Sequence, residues 1–285
     1  MENISDHMQS NSLKKVAIQG ERGSNSHMAA LEMLGSEIAI LPCTLSSDVI
    51  DAVLAERADA AVLPIENSLH GSVSEHYDLL LEHEIRIDRE SLLRIRHNLI
   101  VAPGVSISDV RHVISHPVAL SQCRRFLGSF LQAVPMPFYD TAGSVKHLML
   151  HGLRDTAGVA PMLAAQEYGA TILVEGIEDN PENFTRFHLL RRTDTASAAV
   201  KDPDKISLAF AVEHRPGTLV AALGVLADAG VDLTKIESRP VPGSPWEYIF
   251  YVDFRFVTID KAELAIAGLR AHCKLVKELG RYKAA

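Results

Sequence analysis

The chain has 285 residues, is 47% hydrophobic and carries a formal net charge of -8 at pH 7. That is enough apolar sequence for two compact domains with separate cores, and the acidic balance gives nucleic acid no overall basic surface. The three cysteines, Cys43, Cys123 and Cys273, lie far apart and in no CxxC pair, which speaks against a disulfide framework or zinc site and fits a reducing compartment.

Taken in chain order, residues 1–13 are polar, lack the apolar core of a signal peptide and read as a disordered leader. KVAIQG (15–20) is a buried strand ending in glycine, followed by a helix at 26–34 capped by Ser24 or Asn25. Strands at 37–41 and 58–65 flank a helix at 48–56, so the opening reads βαβαβ, a mostly parallel sheet covered by helices. His76 and His83 fall in a charged helical stretch and, with no HExxH anywhere, read as solvated or hydrogen-bonding side chains, not metal ligands. The run 85–103 is long enough for an extended strand crossing between two lobes. A second α/β set follows, with strands at 111–116, 130–136 and 155–160 and helices at 117–129, 142–152 and 160–169. A further crossing strand at 184–192 completes a hinge and a cleft. The small polar stretch 191–205 reads as a linker. Beyond it the order changes: strand 206–212, helix 216–230 started by Pro216 and stopped by Gly230, strands 231–241 and 246–256 around the turn PGSP, helix 260–273 and strand 274–282. This βαββαβ order is ferredoxin-like. No apolar run approaches the roughly 20 residues of a membrane span, and the protein reads as soluble and cytoplasmic.

Five stretches could carry chemistry. GERGSNSH (20–27) puts glycines and the hydroxyls of Ser24 and Ser26, with Asn25, between a strand and a helix, where N–H groups bind anions or simply make a capped turn. LPIENSLHGSV (63–73) places Glu66 and Asn67 at a strand end, where open α/β sheets form their crevices. SHPVALSQC (115–123) offers Ser115, His116 and Gln122; GxSxG is absent, so a cap or ligand contact fits better than a hydrolase triad. In YDTAGSV (139–145), Thr141 is placed at a helix N-cap, beside residues small enough for a ligand to approach the backbone. In NFTRF, alternation along a strand points Phe184 and Arg186 one way and Asn183, Thr185 and Phe187 the other. A buried guanidinium is costly unpaired, so Arg186 must meet an anion or water.

In this order and at these distances, GERGSNSH, LPIENSLHGSV, SHPVALSQC, DTAGSV and ENFTRF resemble prephenate dehydratase, while RPGTLV (215–220) and ESRP (237–240) resemble the ACT regulatory domain attached to that enzyme. The resemblance implies a two-lobed, periplasmic-binding-protein-like catalytic domain at 14–192, with lobe 1 at about 14–100 and 175–192 and lobe 2 at about 101–174. A linker at 193–204 and a ferredoxin-like ACT domain at 205–285 follow. It implies conversion of prephenate to phenylpyruvate, water and carbon dioxide, in phenylalanine biosynthesis, with no metal or organic cofactor. Thr185 would be the hydrogen-bond or proton donor to the leaving hydroxyl, and Arg186 the carboxylate anchor. Asn67, Ser24, Asn25, Ser26, Ser115, Gln122, Thr141 and Phe187 would surround the substrate. Glu66 is either a rival acid or a structural hydrogen-bonding group. Phenylalanine would bind between ACT domains of neighbouring subunits, at Gly217, Thr218, Leu219 and Val220 and at Glu237, Ser238, Arg239 and Pro240, in a homodimer or homotetramer. Thr218 departs from the small apolar residue usual there. The alternatives are arogenate dehydratase, a non-catalytic solute-binding or sensor protein, and, against the charge balance, a DNA-binding regulator.

Overall fold

A computed structural model describes residues 14–130, 132–195, 200–241 and 247–285. The expected leader, part of the expected linker and the PGSP turn lie outside the described residues. The first layer set runs β1 (Lys14–Gln19), α1 (Asn25–Leu34), β2 (Ile38–Cys43), α2 (Ser46–Leu54), β3 (Ala60–Asn67), β4 (Gly71–Ser72), α3 (Ser74–Glu82) and β5 (Ile85–Arg94). Val16, Ala17 and Ile18 of β1 are wholly buried, as a parallel strand covered on both faces must be. β1 pairs in parallel with both β2 and β3.

The second set comprises β6 (Asn98–Val101), β7 (His112–Ser115), α4 (Pro117–Ser121), α5 (Arg124–Ser129), β8 (Val134–Pro137), α6 (Thr141–Leu150), β9 (Thr156–Ala160), α7 (Met162–Tyr168) and β10 (Thr171–Val174). β11 (Phe184–Arg192) then returns to the first sheet, giving the orders β2-β1-β3-β11-β5, with β4 on β3, and β10-β6-β9-β7-β8. Two expectations change in detail. The run 85–103 breaks between β5 and β6 because it changes sheets there: Ile95 N–H donates to the Asn183 carbonyl (2.8 Å), and Ile177 N–H to that of His97 (2.9 Å). These two bonds join the crossing segments. The helix expected at 117–129 is split because the Asp179 carboxylate accepts from the backbone N–H groups of Arg124 and Arg125, both at 3.0 Å, and so caps a new helix. Of the two readings of His76, the hydrogen-bonding one fits: the ring is buried and held between the Ser46 hydroxyl (2.7 Å) and the Pro64 carbonyl.

The C-terminal module is β12 (Lys205–Ala211), α8 (Thr218–Asp228), β13 (Asp232–Pro240), β14 (Tyr248–Arg255), α9 (Ile259–His272) and β15 (Leu275–Tyr282), an antiparallel sheet of order β13-β14-β12-β15. One set of its residues, including Leu208, Phe210, Val252 and Phe254, packs with Leu226 and Ile266 of the two helices. The alternate set, Ala209, Tyr251, Leu279 and Tyr282, joins Ile85, Ile87 and Leu80 in a single core with the first lobe. Gly280 lies so close to β5 that a Cβ there would strike the Ile87 carbonyl. Among the described residues no helix is long and apolar enough to cross a membrane.

Candidate active site

A cavity of about 920 Å³ opens between the two α/β sheets and is lined from both. Of the residues singled out in the sequence, Ser24, Asn25, Ser26, Asn67, Gln122, Thr141, Thr185 and Phe187 line it. Ser24 caps α1 and Asn25 opens it, so the start of that helix faces the cleft. At α6 the cap is Asp140, which accepts from Gly143 N–H at 2.6 Å; Thr141 is the first helical residue. Burial raises the Asp140 carboxyl above its ordinary value, opposed by that N–H bond.

A directional chain of amides fixes the middle of the site. Asn67 Oδ1 accepts from the N–H groups of Leu69 and His70, at 3.0 and 3.1 Å, which orients the amide. Its Nδ2 therefore donates to Asn183 Oδ1 (2.8 Å), the Phe184 carbonyl (3.1 Å) and Thr185 Oγ1 (2.9 Å). Asn183 Nδ2 donates onward to Gln122 Oε1 at 3.0 Å, which His97 Nε2 also reaches at 2.8 Å. Gln122 Nε2 then donates to His70 Nδ1 at 3.1 Å. Burial lowers the His97 pKa, and because Gln122 Oε1 can only accept, His97 Nε2 is the donor in their contact.

The lobes also touch across the mouth. Lys146 Nζ donates to both Glu21 oxygens at 2.9 Å, and the Tyr139 hydroxyl donates to Glu21 Oε1 at 3.0 Å. Burial first, then Glu21, push the Tyr139 phenol up to about 12. Gly23 has φ +83°, and a Cβ there would press on the Ala164 backbone at 2.6 Å, so only glycine lets this loop meet α7. Lys146 is the one lysine or arginine among the described residues lining the cavity.

Three expected residues lie elsewhere. Ser115 is wholly buried within the second sheet, its hydroxyl donating to the Val159 carbonyl at 2.6 Å. Glu66 and Arg186 are opposite each other in the β3–β11 ladder and turn to the far face, because Asn67 and Thr185 on the next rung turn to the cleft. Sequence reasoning passed over Glu21, His70, His97, Tyr139, Asn183 and Lys146 as site residues. Glu21, His70, Tyr139 and Asn183 sit inside quoted motifs, so a reading of every polar side chain there could have found them; Lys146 carries no local signal.

In the C-terminal module Gly217 has φ +87° and caps α8, and the Thr218 hydroxyl donates to the Glu213 and Arg215 carbonyls at 2.7 and 2.9 Å. The extra hydroxyl is thus satisfied by the loop. Leu219 packs on the module core, while Val220 is exposed. Glu237 accepts from the hydroxyl of Ser72, a cleft-lining residue, at 2.8 Å, and Arg239 donates to Asp78 at 2.7 Å. Ser238 and Pro240, alternating with them, are exposed.

Residues 16–195 match the family model for prephenate dehydratase, and residues 206–266 that for the ACT domain. The chain belongs to the prephenate dehydratase family. It is a dehydratase, a carbon–oxygen lyase, with an ACT domain at its C-terminal end. The dehydratase is 39% identical to arogenate dehydratase 2 of Petunia hybrida, over 94% of this chain and 71% of that protein. It superposes with a TM-score of 0.86 on the prephenate dehydratase of Arthrobacter aurescens in complex with L-Phe, at 32% identity, covering 95% of this chain and 90% of that one. It matches equally well, with a TM-score of 0.86 and 33% identity over 95% and 98% of the two chains, a structure described as GqqA, a novel type of quorum quenching acylase.

Proposed function

We propose that the cleft of this dehydratase removes carbon dioxide and water from prephenate to give phenylpyruvate. The observation that carries the reading is the Asn67–Thr185 hydrogen bond at the cavity wall. Because Thr185 Oγ1 accepts from Asn67, its own hydrogen is left for an acceptor in the cleft. In the reaction the bond to the ring carboxylate breaks and its electron pair enters the ring. The bond from C4 to oxygen breaks, and the departing hydroxide takes up a proton. Aromatisation drives both cleavages, so the site's task is to hold the dianion and stabilise charge growing on that oxygen. A donor preset within a partly buried wall does the second. Lys146 and the N–H groups opening α1 and α6 suit the two carboxylates.

A second substrate has an observation in its favour. Glu21, Glu75 and Asp140 line the same cavity, where the ammonium of arogenate would find a carboxylate. Purified protein should release phenylpyruvate from prephenate, and comparing specificity constants for prephenate and arogenate decides the preference. Thr185→Val should lower kcat by about 100-fold or more with a smaller change in KM. A folded enzyme inert on both substrates, or a Thr185→Val variant with normal kcat, would remove the reading. Acyl hydrolysis serves as the comparator reaction. Among the described residues lining the cavity, no serine, threonine or cysteine side chain hydrogen-bonds a histidine ring, as an activated nucleophile would.

L-Phenylalanine is the regulator in this proposal, bound where a second copy meets the ACT domain. β13 is the edge of its sheet, and Val220, Ile236 and Leu264 expose apolar surface on α8, β13 and α9. We take the working form to be a homo-oligomer in the cytoplasm. Light scattering with and without phenylalanine tests the assembly.

A further inference from the structure

Arg186 follows Thr185 directly, yet its guanidinium lies behind the catalytic strand, in a cage built from both parts of the chain. The first lobe supplies Glu66 at 3.2 Å, Glu90 at 3.5 Å and the Tyr77 hydroxyl at 3.3 Å. The ACT domain supplies Asp253, which accepts from Nη1. Asp253 is itself held by the Ser207 hydroxyl at 2.5 Å. Lys205 donates to both oxygens of Glu90 at 2.9 Å, and Lys235 to Glu66 at 3.0 Å, so acid and base alternate across the domain boundary. The Arg186 side chain is 11% exposed, those of Glu90 and Asp253 4%. Arg186 does not line the cleft cavity.

The cage bears on the chemistry through register. Arg186 pairs with Glu66, and on the adjoining rung Thr185 pairs with Asn67. The β3–β11 ladder has a register shift between Arg186 and Phe187, on the far side of the Arg186–Glu66 rung, so that rung is the last regular one after the rung that carries the Asn67–Thr185 bond. β11 also pairs regularly with β5 from Phe184 to Leu189, and the Arg186–Glu66–Asp253 cluster adds a side-chain grip on the strand at the rung next to Thr185.

We propose that Arg186 is a positioning residue for Thr185 and that the ACT domain completes the active site by supplying Asp253 as its counter-ion. The proposal rests on the dehydratase reading above. A carboxylate anchor serves ground and transition state alike, so its loss raises KM. A group that only aims Thr185 acts when the hydroxyl leaves, so its loss lowers kcat.

The test is steady-state kinetics of the full chain as wild type, Arg186→Lys, Asp253→Asn, the double variant and Tyr77→Phe, with circular dichroism to establish folding. Arg186→Lys and Asp253→Asn should each lower kcat about tenfold or more while KM stays within about twofold. The double variant should be no worse than the poorer single one, since both remove the same interaction. Tyr77→Phe loses one hydrogen bond and no charge, and should show a smaller fall in kcat with KM kept. A raised KM with kcat intact, wild-type kinetics in Asp253→Asn, or additive losses would overturn the proposal. If the charge variants do not fold, Tyr77→Phe decides by the same split, and wild-type kinetics there overturns it. An inert wild type would sink the dehydratase reading and this inference together, whereas an active wild type with any of the other adverse results sinks the inference alone.

Discussion

Thr185 shows how far one residue's chemistry depends on its neighbour. A threonine hydroxyl is a weak acid, and Asn67, oriented by two backbone N–H groups, donates to its oxygen and so leaves its hydrogen for the cleft. Lys146 makes the complementary case for binding. Its contact with Glu21 is replaceable by a substrate carboxylate, and charge-assisted hydrogen bonds contribute roughly 1.5–3 kcal/mol. Lys146→Met should therefore raise KM by about 10- to 100-fold with a lesser effect on kcat. An unchanged KM for both candidate substrates would show that helix starts alone hold the anion. Alternation along NFTRF predicts correctly that Thr185 and Phe187 share a face opposite Arg186. What lies on the far face is not written there, because the groups that meet Arg186 come from β3, β5, α3 and β14.

Among the elements, most strands and helices follow from apolar periodicity and from local caps such as Ser24 and Gly217. The exceptions have long-range causes. The split between α4 and α5 depends on Asp179, more than 50 residues downstream of the helix it caps. β15 depends on Gly280 for its approach to β5, since a side chain would meet the Ile87 backbone. Gly280→Ala should wedge the ACT sheet from the first lobe and cost about 1–3 kcal/mol, as overpacking does. Thermal unfolding would read this as a lowered Tm, and an unchanged Tm would mean that β15 can move aside. If the Arg186 cage acts as proposed, the same wedge also lowers kcat.

At the scale of the molecule, stability has a signed dependence on pH. His27, His76, His97 and His188 are each buried, and burial comes first in lowering their pKa below 6.5. The unfolded chain then binds more protons than the native one below pH 6.5. Stability is complete above that value and is lost as pH falls towards the lowered native values, by up to about 1.4 kcal/mol per pH unit for each histidine. Asp140, raised by burial, pulls the other way but is one group against four. A Tm that is flat from pH 7.5 to 5 would refute this balance. By itself the sequence determined the two α/β lobes, the βαββαβ module, and the family signature that carries Asn67, Gln122 and Thr185, because strand and helix periods and turn chemistry are local properties. Only the tertiary structure decided that Glu21 meets Lys146 across the mouth, that Asn183 and His97 meet at Gln122, and that Arg186 faces Asp253. Each of those contacts joins residues at least 25 positions apart, and the chain's path through three sheets alone brings them together.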